Sequence, residues 1–550
     1  MFKNVTRGVS LAVALVLLST SAIGCGKKEG SSAAPGTATP TASTQPAVAS
    51  YPLKTDVTLK YWMELHSNAT GYAKNFGELQ IAKDLQEKTG VKVEYIHPAT
   101  GQATEAFNIL VASGDLPDII EYRWTNNYPG GPNAALSNGV ITKLNDAITK
   151  YSPNLQALLK KYPEVDKGMK TDDGSYYFYP FLRGEPGTTE LLSTAGPIVR
   201  KDWLDELGLS VPETTDDWYN MLKAFKEKKG VEIPLTSYAD PNPANGSQIL
   251  YIFDGAFGIS NTFYADNGKI KFGPAEAGYK DMVAYLAKLY KEGLLDKNFA
   301  TTDKKTVDSN MLNGKSGAAY GSGGSHVGTY LSTMKEKDPK FNVVGVKQPV
   351  GKKGDKLLYG NISAQLDPTV QAAITTKCKN VEIAARYLDY GYGQEGHLLY
   401  NFGKEGVSYT MVNGKPTYTD LVMKNPDKLT QAQAMTKYSR GNTNGPFVQD
   451  NGYIEQYYSM PQQKESLKAW SDQQKIKTQV PLITPTEAES SETAKLQTDI
   501  TTYAREMQYK FIMGVEPLEN FDKYLAQLKK MNIDKLLQLK QQALDRYNKR

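Results

Sequence analysis

The chain has 550 residues, of which 40% are hydrophobic and 22% charged, with 64 Lys and Arg against 59 Asp and Glu. That length calls for two lobes or more, and the near-balanced charge gives no basis for nucleic-acid binding. A mean hydropathy of −0.48 with one short apolar run excludes a polytopic membrane protein, and the two cysteines, Cys25 and Cys378, are too few for a disulfide scaffold or a thiolate zinc site.

The chain opens on Lys3 and Arg7, the apolar run from Leu11 to Leu18, and then Ala22-Ile23-Gly24-Cys25. Basic residues hold the start on the cytoplasmic side, and the run is too short for a stable span, so the segment reads as a secretion signal. A small residue followed at once by cysteine resembles the lipobox of bacterial lipoproteins, whose thiol takes a diacylglycerol, although Ala22 stands where leucine is commonest. Residues 1–24 are therefore expected to be a leader and 25–52 a lipidated tether; loss of Lys3 and Arg7 brings the formal charge from +5 to +3. Gly30 to Ser50 is a tract of Ser, Ala, Pro, Gly and Thr that cannot build a core. About 24 residues of such coil reach roughly 25 to 30 Å. With Cys25 acylated, Cys378 has no partner for a disulfide.

Order is predicted to begin at Val57, where Val57 to Trp62 alternates as a strand, followed by a helix through Phe76, Leu79, Ile81, Ala82 and Leu85 that Gly90 stops. Val91 to Ile96 reads as a second strand, Thr104 to Ser113 as a helix, and Asp118 to Tyr122 as a third strand. This alternation predicts a parallel sheet covered by helices, with ligands expected beyond the carboxyl ends of the strands. Further on, a strand from Gly174 to Phe181 runs into a Gly- and Pro-rich stretch to Pro197 that reads as a crossing between lobes. Helices are predicted at Val199 to Leu209, Asp216 to Lys226 (capped by the preceding Pro212 to Thr215), Tyr279 to Lys291 and Lys305 to Leu312. Gly317 to Tyr320 reads as a strand entering the cluster Gly321 to Ser325, which suits a second crossing or a ligand-facing loop. From Ser491 an amphipathic helical pattern runs to the end, broken near Gly514 to Pro517, and no repeat of fixed period is visible.

The first and third strands run into Trp62-Met63-Glu64-Leu65-His66 and Tyr122-Arg123-Trp124. A tryptophan face stacks on the C–H face of a sugar while neighbouring polar groups take its hydroxyls, so Trp62, Glu64, Tyr122, Arg123 and Trp124 are candidate ligand contacts. The competing reading makes each tryptophan a core or lid residue. Signs of catalysis are few: His66, His97, His326 and His397 are scattered without an H-E-x-x-H, and Asn313-Gly314-Lys315-Ser316 has Ser309 where a phosphate loop needs glycine. No G-x-S-x-G turn occurs. A glycosidase built on two carboxylates distant in sequence stays as a remote alternative.

Four segments carry a family resemblance. Val111 to Ile120 (VASGDLPDII) is similar to the "SGDLPDI" strand entry of extracellular solute-binding proteins serving ABC sugar importers; Lys201 to Leu209 with Pro212-Glu213-Thr214 resembles the segment that opens their second lobe. Asn401 to Tyr409 with Asn413 to Pro416 looks like a signature of the LipO-like oligosaccharide-binding branch, and similarity continues through Ala504 to Met507 and Gln542 to Tyr547. The resemblance implies an α/β periplasmic-binding-protein fold of type II: two lobes joined by a hinge, with residues 53–183 and 325–393 in the N-terminal lobe and 184–324 and 394–550 in the C-terminal one. It implies a non-enzymatic, monomeric lipoprotein on the extracellular face of the cell membrane, held by Cys25, that captures an oligosaccharide and delivers it to ABC permease subunits. A surface sensor or adhesion protein of the same fold is the alternative. By position it adds Glu405 and Tyr409 to the candidate contacts; Arg183, Tyr320 and His326, which flank the expected crossings, are further candidates to line the cleft. No cofactor is expected. Relatives often carry an Asp/Asn-rich calcium loop before an "EIP" strand, but Lys226 to Pro234 is short and basic here, so no metal is expected at that position either.

Overall fold

The computed structural model describes residues 50–239, 248–357, 359–360, 362–472 and 479–550, all within one compact unit, Pro46–Arg550. The leader, Cys25 and the predicted tether up to residue 49 lie outside the described residues. Among the described residues no helix is long and apolar enough to cross a membrane, and no group of three or more His, Cys, Asp or Glu is placed to hold a metal ion.

Strands β1 (Thr58–Met63), β2 (Lys92–Ile96) and β3 (Ile119–Tyr122) pair in parallel, β1 in the middle, with Trp62 opposite both Ile96 and Ile120. The intervening helices Gln80–Thr89 and Ala103–Ser113 end on Gly90 and Gly114, both in the left-handed conformation that glycine adopts without strain. The sheet continues through β10 (Leu366–Ile374) to β4 (Tyr179–Leu182), giving the order β2-β1-β3-β10-β4. Strand β10 is antiparallel to both neighbours, a long-range return that the sequence pattern did not reveal.

A second sheet, β8-β5-β9, is formed by β5 (Ala195–Arg200), β8 (Ala318–Ser322) and β9 (Val343–Gly345). The predicted helix at Val199 to Leu209 shortens to Lys201–Leu207, because Val199 and Arg200 close β5, paired to its neighbours, and Gly208 ends the helix in the left-handed conformation. The helix Thr215–Lys229 starts as expected: the Thr214 hydroxyl accepts from the Asp217 N–H, and the Asp217 carboxylate accepts from the Thr214 N–H. Two hairpins, β6–β7 (Phe263–Asp266, Lys269–Phe272) and β11–β12 (Tyr409–Val412, Lys415–Tyr418), complete the strands.

The chain passes between the sheets after β4 at 183–194 and again between β9 and β10. Residues 325–346 pack on the second sheet, where Val327, Tyr330, Phe341 and Val343 join Ile198 and Trp470 in one core. Residues 394–448, by contrast, lie against the first sheet, held by Lys88–Glu395, Lys404–Glu87 and Arg440–Glu121 ion pairs.

The C-terminal helices tie the two sheets together. Glu487–Ile512, 26 residues and about 39 Å long, begins against first-sheet residues and buries Ile500, Ala504, Phe511 and Ile512 in the second core. The last helix, Ile533–Lys549, runs back: Ile533 and Leu536 sit in the second core, while Arg546 and Arg550 each donate to Asp172, at 2.5 Å. Arg546 also pairs with Glu489 at 2.6 Å.

Candidate functional site

At the carboxyl ends of β1 and β3 the chain exposes Glu64 and Arg123, while the helical segments between carry the backbone away. Their side chains pair at 3.8 Å, 45% and 30% exposed, and the Arg123 guanidinium lies 5.7 Å from the Tyr122 ring centroid. Partial desolvation raises the Glu64 carboxyl above its ordinary range against the pull of Arg123. Facing β1, Thr436, Ser439, Arg440, Thr443 and Asn444 close a recess of about 10 Å³ with Glu64, Leu65 and His66, room for about one water rather than for a sugar ring.

The recess has a charged floor. Arg440, 4% exposed, donates to Glu121 at 2.8 Å, and the Tyr61 hydroxyl donates to the same carboxylate at 2.6 Å. Burial, with Arg440 nearby, lowers the His66 pKa to about 4, so the half-buried imidazole is neutral at physiological pH. Neither Glu121 nor Arg440 was a candidate from sequence. A signal existed in Glu121, a carboxylate in the otherwise apolar strand Ile119–Tyr122, which burial obliges to find a cation.

The loop from Arg440 to Gln449 leads from this recess to a second polar face. Leu182 donates to the Phe447 carbonyl and accepts from the Gln449 N–H, which brings the loop beside Arg183. Arg183 pairs with buried Asp367 at 2.6 Å, and its charge is felt by Tyr453. On the helix Asn451–Tyr457, Asn451 donates to Glu190 at 3.1 Å. Half-buried Tyr457 and buried Tyr458 pack on Gly324 and Gly323 so closely that neither glycine has room for a Cβ.

The structure thus brings Glu64 and Arg123 together and sets Arg183 at the far end of a connecting loop. Trp62, 3% exposed, instead packs edge-on against Tyr122 and beside Phe107, and Trp124, fully buried, donates its indole N–H to the Ile120 carbonyl. Both rings are core beneath the strand exits: Trp62 lies within the buried end of β1, and Trp124 opens the short helix Trp124–Asn127. Tyr122 is buried with its hydroxyl at Thr104, and Tyr320 is buried against Tyr251. Buried His326 follows β8 in the π-helical turn Gly323–Gly328; its Nδ1 accepts from the Ser322 N–H at 3.0 Å, and burial lowers its pKa to about 3. Ser322, Ser325 and Asp308 surround this ring, but the occupied Nδ1 and the 3.9 Å from Nε2 to Asp308 leave no hydrogen-bonded nucleophilic triad. Glu405 is exposed and Tyr409 buried in a segment that Lys404 pins to Glu87, at the last turn of Gln80–Thr89, whereas Leu79, before that helix, lines the recess. They are therefore not gathered with Glu64 and Arg123.

Residues 70–397 match the family described as bacterial extracellular solute-binding protein. The chain belongs to that family. Among its relatives, the fructooligosaccharide ABC transporter substrate-binding protein FusA of Streptococcus pneumoniae is 25% identical over 532 residues, 90% of this chain and 92% of FusA. Lipoprotein LipO of Bacillus subtilis is 26% identical over 373 residues, 65% of this chain and 69% of LipO. Of solved structures, the alginate-binding protein AlgQ2 without calcium ion superposes with a TM-score of 0.74 at 27% identity, covering 89% of this chain and 98% of AlgQ2. The fold of this solute-binding protein is accordingly the type II periplasmic-binding arrangement, in which two α/β lobes face one another across the ligand. The family and its neighbours are binding proteins rather than enzymes.

Proposed function

We propose that this chain captures an oligosaccharide outside the cell and delivers it to an ABC permease, anchored to the membrane through a diacylglycerol on Cys25. The observation that carries the reading is the pair of polar faces joined by the loop Arg440 to Gln449, one at the carboxyl ends of β1 and β3 and one at the crossing beside Arg183. It stands in a chain aligned with a fructooligosaccharide-binding protein over nine-tenths of its length. Glu64, Arg123 and Arg183 present partly exposed hydrogen-bonding groups to sugar hydroxyls, with Tyr457 as a half-buried ring on the helix Asn451–Tyr457; Trp62 and Trp124 support that surface from below. Ligand bridging both faces binds the closed arrangement better and shifts the population towards it. The lobes are assigned to the two sheets, residues 394–448 going with the first.

A thermal-shift screen of the full-length chain against plant and bacterial oligosaccharides tests this. At least one saturating sugar raises the melting temperature, because binding only the folded state stabilises it by RT ln(1 + [L]/Kd). Accumulation of reducing ends from that sugar would contradict a binding-only role. The anchor is tested separately: Cys25→Ala releases the protein from the membrane fraction if Cys25 carries the lipid.

A further inference from the structure

Each arginine at the two polar faces has a carboxylate within ion-pair distance, Arg123 the most loosely. Arg123 pairs with Glu64 at 3.8 Å, Arg440 with Glu121 at 2.8 Å, and Arg183 with Asp367 at 2.6 Å. The imidazole in the recess adds no charge, since His66 is neutral at physiological pH. Other acids near the second face are Glu190, which accepts from Asn451, and Asp450, whose carboxylate accepts from His397 at 2.8 Å. Recognition of a uronate carboxylate needs a positive charge that no neighbour cancels, and no lysine is among the described residues lining the recess. Taking either Arg183 or Arg440 for that purpose strands a buried partner, for Asp367 and Glu121 are 4% and 5% exposed at the side chain. An uncompensated carboxylate at such depth opposes binding strongly.

We infer that the ligand is a neutral oligosaccharide, whose hydroxyls are met by groups already cancelled in pairs, and that Glu64 is the residue that excludes acidic sugars by neutralising Arg123. This rests on the oligosaccharide reading above and narrows it. It separates the chain from its alginate-binding structural neighbour, since alginate is a polymer of uronic acids, and aligns it with neutral fructan binding of the kind named for FusA.

The test is calorimetric titration of the full-length chain with neutral tri- to pentasaccharides of fructose, glucose, galactose and xylose, and with trigalacturonate and trimannuronate. The inference expects the best neutral sugar to bind at least about tenfold more tightly than either acidic trimer, and its affinity to change less than about twofold from about 50 mM to about 500 mM salt. Glu64→Gln, which leaves Arg123 uncancelled at an exposed position, is expected to raise trigalacturonate affinity at least about threefold. An acidic trimer binding as tightly as the best neutral sugar overturns the inference while leaving the oligosaccharide reading intact. An unchanged trigalacturonate affinity in Glu64→Gln overturns the role given to Glu64. Absence of binding by both classes overturns the oligosaccharide reading, and this inference with it.

Discussion

Arg440→Met removes the guanidinium from the floor of the recess with little change of volume and leaves the Glu121 carboxylate, 6% exposed, with the Tyr61 hydroxyl at 2.6 Å as its remaining side-chain hydrogen bond. At the 2.8 Å separation of the native pair, an effective dielectric near 20 puts the lost attraction at about 4 to 6 kcal/mol. Mutational experience with broken buried pairs places the net destabilisation at about 3 to 5 kcal/mol. For a folded body of about 500 residues, with an unfolding entropy near 1 kcal/mol/K, that is a melting temperature lower by about 3 to 5 °C. Urea denaturation followed by circular dichroism reads the same loss as a midpoint shift at constant slope. The double variant Arg440→Met with Glu121→Leu should lose less than the sum of its single variants, giving a coupling of at least about 2 kcal/mol. Single variants within about 1 kcal/mol of wild type, or an additive cycle, would refute the claim that this pair is buried and mutually dependent.

His326 is buried with its pKa lowered to about 3, so the unfolded chain takes up a proton near pH 6.5 that the folded chain refuses. The stability it contributes is complete above about pH 6.5 and falls as pH drops from there towards 3; wild type should therefore lose more stability between about pH 7 and about pH 5 than His326→Gln, and parallel curves would contradict this. Asp172→Ala removes the shared acceptor of Arg546 and Arg550 where the last helix meets the first sheet, with an expected loss of about 2 kcal/mol by urea midpoint and faster hydrogen exchange in Ile533–Lys549. Trp62→Ala and Trp124→Ala should each destabilise by about 3 to 5 kcal/mol as core truncations, whereas Glu64→Ala, at a half-exposed site, should stay within about 0.5 kcal/mol while weakening ligand binding. Comparing urea midpoints with titrations separates these effects.

Much of the first sheet was legible because its elements are local: β1, β2 and β3 alternate with helices that glycines close, and each signal lies within a few residues of its cause. Strand β10 was not, since Leu366–Ile374 earns its place between β3 and β4 through pairing with residues about 190 to 250 positions away. The candidate site was half legible for the same reason. Glu64 and Arg123 follow from where the parallel strands end, but period-two alternation could not say that Trp62 and Trp124 turn inward, and nothing local to Ser439-Arg440-Gly441 points to Glu121 more than 300 residues earlier. The family motifs located Glu405 and Tyr409 along the chain without telling on which side of Gln80–Thr89 they would fall. Lys404 and Glu87 settle that by charge pairing across the surface.

The most direct test of the account is a crystal structure of the chain with the sugar that gives the largest thermal shift. The account predicts that the ligand lies against Glu64 and Arg123 on one side and reaches the face around Arg183 and Tyr457 on the other, with Arg440 still bound to Glu121 beneath it. Sugar density beside Glu405, or anywhere that leaves both Glu64 and Arg183 without contact, would contradict it.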